Sequence, residues 1–210
     1  MARAGLTAGR LTRAAADLAD EVGFENVTVS ALARRFGVKD ASLYSHVKNL
    51  NELRTRVALQ AAREFADRTG PVLAGRAGKE ALVAFARAYR AFAREHPGRY
   101  AATQIQLDPD VVAALCADPR DPAPADDLRR GREMIELTYA MLSGYRLEEP
   151  DLTDAVRLLR GTFHGYASLE AIGGFGHPRD VGASWERAID ALHVALEHWP
   201  AAPDRTESTL

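Results

Sequence analysis

The part of the sequence that decides the fold runs from residue 28 to residue 47 and reads TVSALARRFGVKDASLYSHV. Its first half has the apolar spacing of an amphipathic helix and begins at Thr28, a residue type that caps helices. Gly37 and Val38 interrupt the spacing, and a very short second helix is predicted from about Asp40 to His46. A helix, a tight glycine turn and a short helix at this spacing are typical of a helix-turn-helix motif.

Each residue type in this motif has a mechanical reason. Ala33 is small, so that the second helix can lie close to it, and Gly37 supplies the backbone freedom of the turn. Val38 and Leu43 are predicted to pack beneath the turn. The outward side chains of the short helix are polar or hydrogen-bonding, namely Lys39, Ser42, Tyr44, Ser45 and His46. Such a helix fits a DNA major groove, which is about 12 Å wide, although an ordinary helical hairpin has the same spacing.

The rest of the chain also has helical periodicity. The 210 residues include 39 alanines and only ten prolines, a balance that favours helices. We therefore predict an all-α protein with nine or ten helices. A three-helix head is expected at about residues 7–60 and a helical body at 61–200, with a frayed polar tail at 201–210.

The charge is distributed unevenly along the chain. The formal net charge is −2, but the first 56 residues hold nine basic and six acidic side chains. The N-terminal quarter is therefore basic while the remainder is acidic. This distribution is expected for a small phosphate-binding head on an acidic body, and a modest excess of this size also arises by chance.

Several classes of protein are excluded. No apolar run approaches the roughly 18 residues of a membrane span, and residues 1–10 lack the apolar region of a secretory signal. Cys116 is the only cysteine, so no disulfide forms within the chain. We expect a cytoplasmic protein that does not enter a membrane.

The motifs of common enzymes and cofactor sites are incomplete. Lys79 follows a glycine, but the Walker pattern also needs a glycine at Leu73 and a hydroxyl at Glu80. The glycine-rich run at 173–176 has neither the third glycine nor the preceding strand of a dinucleotide site, and no nucleophile elbow is present. We expect no catalytic residues and no cofactor.

Two residue sets allow a second interpretation. His193 and Glu197 share one face of a helix and could bind a metal, but a solvent-exposed helix edge is the better interpretation. No metal is therefore predicted. Cys116 lies in an apolar stretch without a nearby histidine in sequence, and an inert thiol is expected.

Residues 43–49, LYSHVKN, together with Thr28, Ala33 and Phe36-Gly37-Val38, closely resemble the TetR/AcrR family of bacterial transcriptional regulators. The resemblance covers about residues 7–60. In the body, Phe163-His164-Gly165 resembles a subclass with a His-Gly pair on its penultimate helix. The resemblance implies a sequence-specific DNA-binding regulator, a repressor released by a small-molecule effector, although an activator has the same sequence features.

The resemblance also implies residue roles. Five residues match positions that contact phosphate or hold the head on DNA, namely Thr28, Ser42, Tyr44, His46 and Lys48. It places near base edges Lys39 and Ala41. The family often has lysine where this chain has Leu50, and Lys48, Asn49 or the amides at the start of the following helix are possible substitutes.

The implied partners are pseudo-palindromic double-stranded DNA, an effector and a second copy of the chain. The homodimer is expected through two apolar helices at about 152–172 and 185–199, which internal burial would also explain. An effector pocket is expected from a set of inward aromatic, methionine and polar residues: Tyr89, Phe92, Tyr100, Gln104, Met134, Leu137, Met141, Phe163, His164 and Tyr166. His164 is first a candidate for core packing and only then for ligand contact. The alternative function is an all-helical small-molecule binding protein or enzyme without DNA binding.

Overall fold

The computed structural model describes residues 5–200, which form nine α-helices and no strand. The helices are α1 (Ala8–Val22), α2 (Val29–Phe36), α3 (Leu50–Thr69), α4 (Gly78–Glu95), α5 (Pro97–Ala102), α6 (Pro109–Cys116), α7 (Ala123–Met141), α8 (Asp151–Ala171) and α9 (Val181–Glu197). The all-α prediction is confirmed. None of these nine helices is both long enough and apolar enough to cross a bilayer. The tail predicted to fray, 201–210, lies outside the described residues.

The helices of the head begin and end at residues that the sequence marks. The α1 helix ends before Gly23, whose φ of 90° suits glycine. The Thr28 Oγ1 atom accepts a hydrogen bond of 3.2 Å from the Ala31 amide and caps α2. The α2 helix ends at Gly37, which adopts the left-handed conformation with φ 65° and ψ 33°.

Two predicted helices differ in the structure. The short helix expected from about Asp40 to His46 is instead a 3₁₀ turn at Asp40–Ser42, followed by further turns. The Ser42 and Leu43 amides both bond three residues back, at 2.9 Å, so that this segment is wound more tightly than an α-helix. The sequence also predicts a second short helix at about residues 99–107, and the structure has α5 there, which begins earlier at Pro97 because proline suits the first position of a helix.

The described residues divide into two compact units. The first contains the residues up to Pro71 together with Ala88–Glu136, and the second contains Val72–Arg87 together with the residues from Leu137 onward. In the first unit, α1 packs against α3 and α5. Its core combines residues from the motif with residues of these helices, including Leu11, Leu32, Leu43, Leu53 and Ala102.

A half-buried arginine fixes α5 in the first unit. The Arg99 guanidinium reaches Asp17 of α1 at 2.5 Å and Glu64 of α3 at 2.8 Å, and it also pairs with Asp20. The Arg99 amide donates to Asp20 Oδ1 at 2.9 Å. Gly98 precedes this arginine and lies directly against the backbone of Ala19 and Asp20. The close approach of the two helices therefore depends on a residue without a side chain.

The second unit has an aromatic core of its own. Phe163 of α8 and Trp185 of α9 are each 1% exposed, and their ring centres lie 5.3 Å apart. Tyr145 approaches α9 from the turn before α8, where its hydroxyl lies 3.1 Å from His193 Nδ1. His193 Nε2 is 3.3 Å from Glu197 Oε2. The three side chains form a polar chain at this edge of the unit.

Burial raises the pKa of Tyr145 to about 12, and the negative charge of Glu197 adds to this effect. An unfolded tyrosine ionises near pH 10, so Tyr145 contributes stability that is complete below pH 10 and is lost as the pH rises toward 12. We expect Tyr145→Phe to remove a late step from the phenolate absorbance titration and to flatten the fall of unfolding free energy over that range. Tyr44→Phe is the control that keeps the late step. An unchanged slope in Tyr145→Phe would contradict this assignment.

Candidate nucleic-acid interface

The turn of the motif holds the following segment at a fixed angle. The amides of Gly37 and Val38 donate to the carbonyls of Arg34 and Ala33, at 3.1 and 3.0 Å. Leu43 and Val47 point into the core of the first unit and are 1% and 2% exposed. Val38 is half-buried and packs against the same core. Residues 39–46 are therefore anchored from below, and we call them the recognition segment.

The recognition segment presents most of its polar side chains to solvent. Tyr44 is 52% exposed, which is unusual for a large ring, and His46 is half-buried. The other predicted DNA-binding residues in and around the segment are exposed, namely Thr28, Lys39, Ala41, Ser42, Lys48 and Asn49. The predicted set thus lies at or near the surface of one anchored segment and its flanks.

A groove of about 1000 Å³ lies beside the recognition segment. One of its walls comes from the segment itself and includes Lys39, Ser42 and His46, while the other comes from the start of the chain and includes Leu6 and Arg10. The Arg10 guanidinium donates to the Gly5 carbonyl at 2.9 Å and lies 5.9 Å from the centre of the Phe36 ring. The groove therefore has cationic side chains on both walls.

Asn49 and Glu52 form a reciprocal cap at the start of α3. Asn49 Oδ1 accepts from the Glu52 amide at 2.8 Å, and Glu52 Oε2 accepts from the Lys48 amide at 3.1 Å. The cap uses the oxygen of the Asn49 side chain, whose NH₂ group can still donate. Leu50, where the family resemblance leads to the expectation of a lysine, is half-buried and packs on the core.

Arg56 ties this cap to the rest of the first unit. Its Nε atom lies 2.9 Å from Glu52 Oε1, and its Nη1 atom lies 2.6 Å from Asp121 Oδ2. Arg56 and Glu52 are both buried. Two buried charges that satisfy each other fix the helix start from which Lys48 and Asn49 project.

Sequence reasoning missed three residues of this surface. Arg10 belongs to α1, and no sequence signal placed it beside a segment about 30 residues later. Ser30 and Asp40 are exposed, and the Ser30 hydroxyl donates to Asp40 Oδ2 across the turn. The polar character of Asp40 in a recognition segment was a signal that could have singled it out.

The first unit contains some of the residues predicted for an effector pocket. Tyr89, Phe92, Tyr100 and Met134 are buried, while Gln104 is half-buried. The Tyr89 and Tyr100 hydroxyls are 2.8 Å apart. Phe65, which was not predicted, packs edge-on against Tyr89 at 5.2 Å and against Phe92 at 5.3 Å.

The second unit contains the remaining predicted pocket residues. Met141 and Phe163 are buried, His164 and Tyr166 are half-buried, and Leu137 is 40% exposed. His164 Nε2 lies 3.4 Å from the Ser168 hydroxyl. The Tyr166 hydroxyl donates to the Ser184 carbonyl at 3.3 Å.

The models of two protein domains match consecutive parts of the chain. Residues 11–56 match "Bacterial regulatory proteins, tetR family", and residues 82–192 match "Tetracyclin repressor-like, C-terminal domain". The second match alone covers more than half of the sequence. The chain belongs to the TetR family. The matched head contains most of α1, all of α2, the recognition segment and the start of α3.

Two relatives of this TetR-family protein are similar over most of their length. An uncharacterized HTH-type transcriptional regulator of Mycobacterium tuberculosis, Rv0681, is 32% identical over 82% of this chain and 72% of its own. The uncharacterized HTH-type transcriptional regulator YobS of Bacillus subtilis is 29% identical over 85% of this chain and 86% of its own.

Solved structures share the fold at lower identity. A variant of TetR from Acinetobacter baumannii in complex with minocycline has a TM-score of 0.65 at 17% identity, over 92% of this chain and 98% of its own. The ketosteroid transcriptional regulator KstR2 of Mycobacterium tuberculosis has a TM-score of 0.57 at 17% identity, over 90% and 93%. At these identities the likeness shows that the TetR-family member has the architecture of such regulators.

Proposed function

We propose that this TetR-family protein is a sequence-specific DNA-binding transcriptional regulator, a repressor released by a small-molecule effector. The observation that carries the proposal is the recognition segment, which Leu43 and the following Val47 anchor in the core while most of its polar side chains are exposed. A segment fixed in this way can enter a major groove without losing its shape. Lys48 and the amides at the start of α3 supply contacts to phosphate.

We assign the head to residues 7–60 and the effector-binding and dimerising body to residues 61–200. In the first unit, the buried rings around the paired Tyr89 and Tyr100 hydroxyls combine apolar surface with a polar handle. This chemistry suits a small organic effector. The predicted pocket residues of the second unit combine buried apolar and half-buried polar groups in the same way within that unit. DNA requires one spacing of the two heads in the dimer. An effector that binds better to a different spacing lowers DNA affinity, by an amount set by the difference between its affinities for the two states.

A homodimer is the second part of the proposal. Positions 158, 161, 165 and 169 of α8 and position 172 just after it follow one stripe, on which Leu158, Leu169 and Ile172 are 41%, 42% and 79% exposed. Val194 on α9 is 54% exposed, on the side opposite to the buried Trp185 and Ile189. Added side chains at Gly161 and Gly165 would meet open space. A second copy of the same helix pair covers such a face in a two-fold bundle.

The body and head then work as one regulator on a pseudo-palindromic operator. Two recognition segments must lie about 34–36 Å apart to enter successive major grooves. We propose that the protein acts in the cytoplasm, where a bacterial chromosome is accessible, and that it catalyses no reaction. The competing proposal, a helical binding protein that does not read DNA, predicts no salt-dependent duplex binding.

The three lysines of the chain provide a matched test of the interface. We expect Lys48→Ala to weaken binding to all duplexes alike. The slope of log affinity against log salt concentration should fall in magnitude by about 1 for each phosphate contact that is lost. Lys39→Ala is expected to relax sequence preference by roughly tenfold at one position. Lys79→Ala is the control, since Lys79 lies in α4 and pairs with Asp190. Parent-like binding by both head variants would refute these two assignments.

A further inference from the structure

We infer that Asp40 selects a cytosine in each half-site and that Ser30 positions its carboxylate. The inference rests on the proposed DNA-binding function and adds the base that one side chain reads. Asp40 is exposed at the first position of the 3₁₀ turn in the recognition segment. It is the one acidic side chain in residues 39–46. An acidic residue on a surface that faces phosphates weakens binding to DNA in general, whereas it can improve the discrimination between bases.

Asp40 is fixed at its backbone by one hydrogen bond and at its carboxylate by another. The Leu43 amide donates to the Asp40 carbonyl at 2.9 Å, and Leu43 is buried, so that the backbone at Asp40 is anchored to the core. The Ser30 hydroxyl, from the first turn of α2, donates to Asp40 Oδ2. A side chain that is fixed before binding loses less entropy on binding and presents a single acceptor direction.

The second carboxylate oxygen remains able to accept hydrogen bonds. An ionised carboxylate accepts and never donates, and each of its oxygens takes more than one hydrogen bond. No arginine, lysine or histidine among residues 5–200 forms an ion pair with Asp40. Its negative charge therefore stays available to a DNA base at the exposed surface of the recognition segment.

The chemistry of the major groove then identifies the base. Guanine presents only acceptors there, and thymine presents an acceptor and a methyl group, so a carboxylate is repelled by both. Adenine presents an amino group next to the N7 acceptor, which repels the same carboxylate. Cytosine presents the N4 amino group, a donor that aspartate and glutamate accept. Asp40 therefore favours cytosine over the other three bases.

The test compares variants of the full-length protein on the duplex that the parent selects from random DNA. Each position of one half-site is changed to all four base pairs, and affinities are measured by competition at fixed salt. We expect one position at which the parent prefers cytosine by about tenfold or more. Asp40→Asn is expected to shift the preference there toward adenine, which asparagine binds through N6 and N7. Asp40→Ala is expected to remove the preference while it raises affinity for unselected DNA.

Ser30→Ala distinguishes a positioning role from a structural one. It keeps the Asp40 charge, so we expect reduced cytosine preference without the gain in affinity for unselected DNA. Asp126→Asn changes an exposed residue of α7 and is the control for the removal of a charge alone. We expect this variant to keep the preference for cytosine. Equal base preferences in the parent, Asp40→Asn and Asp40→Ala would overturn the assignment while DNA binding stands. A parent that selects no sequence would overturn the proposed function and this inference with it.

Discussion

Replacing Val194 with glutamate is expected to separate the proposed dimer into monomers. Val194 is 54% exposed within one chain, so the fold of the monomer has no need of its apolar character. In a dimer through α8 and α9 the same position is buried, and an unpaired carboxylate there is strongly unfavourable. Two linked heads bind two half-sites with a high effective concentration, and their separation is expected to lower operator affinity about 100- to 10,000-fold.

The measurement is molar mass in solution together with affinity for a two-half-site duplex. Gly165→Leu is the second variant, because a β-carbon at this position meets no atom within 4 Å in the chain, so that the added bulk is expected to obstruct a partner helix. Val22→Glu is the matched control, since Val22 is 45% exposed but belongs to α1. Dimeric mass in both Val194→Glu and Gly165→Leu, with unchanged affinity, would show that the partner uses another surface.

Replacing Gly98 with alanine is expected to destabilise the protein by about 3 kcal/mol. A β-carbon at this position would fall on the Ala19 carbonyl group and against the Asp20 amide nitrogen, both of which are backbone. The α5 helix would have to move away from α1, and this movement would break the ion pairs of Arg99 with Asp17 and Asp20. Helix propensity alone predicts the opposite sign, because alanine favours a helix by about 1 kcal/mol over glycine.

Urea unfolding of the parent and the variant measures this effect. Gly9→Ala is the control, because Gly9 also lies in a helix but its added β-carbon meets no atom within 4 Å. We expect Gly9→Ala to leave the midpoint unchanged or to raise it slightly. A midpoint for Gly98→Ala at or above that of the parent would mean that α1 and α5 do not pack as closely as described.

Local signals predicted the helices of the head because those signals act within a few residues. Thr28 caps its own helix, and Gly37 is left-handed at the end of it. The recognition segment was predicted as a helix, whereas its first residues form a 3₁₀ turn. The spacing of side chains over seven residues does not show whether each amide bonds to the carbonyl three residues back or four residues back. The run His96-Pro97-Gly98 predicts the end of the helix before it, and proline at this position also begins the next helix.

The site was predictable where a family pattern supplied it and not where distant residues meet. Exposure of Lys39, Tyr44 and Lys48 agrees with their predicted placement, and their contacts with DNA stay predictions. The Ser30 contact with Asp40 joins residues ten apart, and Arg99 joins Asp17 across 82 residues. Such contacts depend on how helices pack, which the pattern of a single sequence does not specify.

Selection of bound sequences from random duplex DNA at about physiological salt tests the central claim most directly, because counterion competition suppresses non-specific binding there. The account predicts enrichment of a pseudo-palindrome with half-sites about 10 base pairs apart, centre to centre. A folded protein that enriches no sequence, with affinity independent of salt, would contradict the claim that this surface reads DNA.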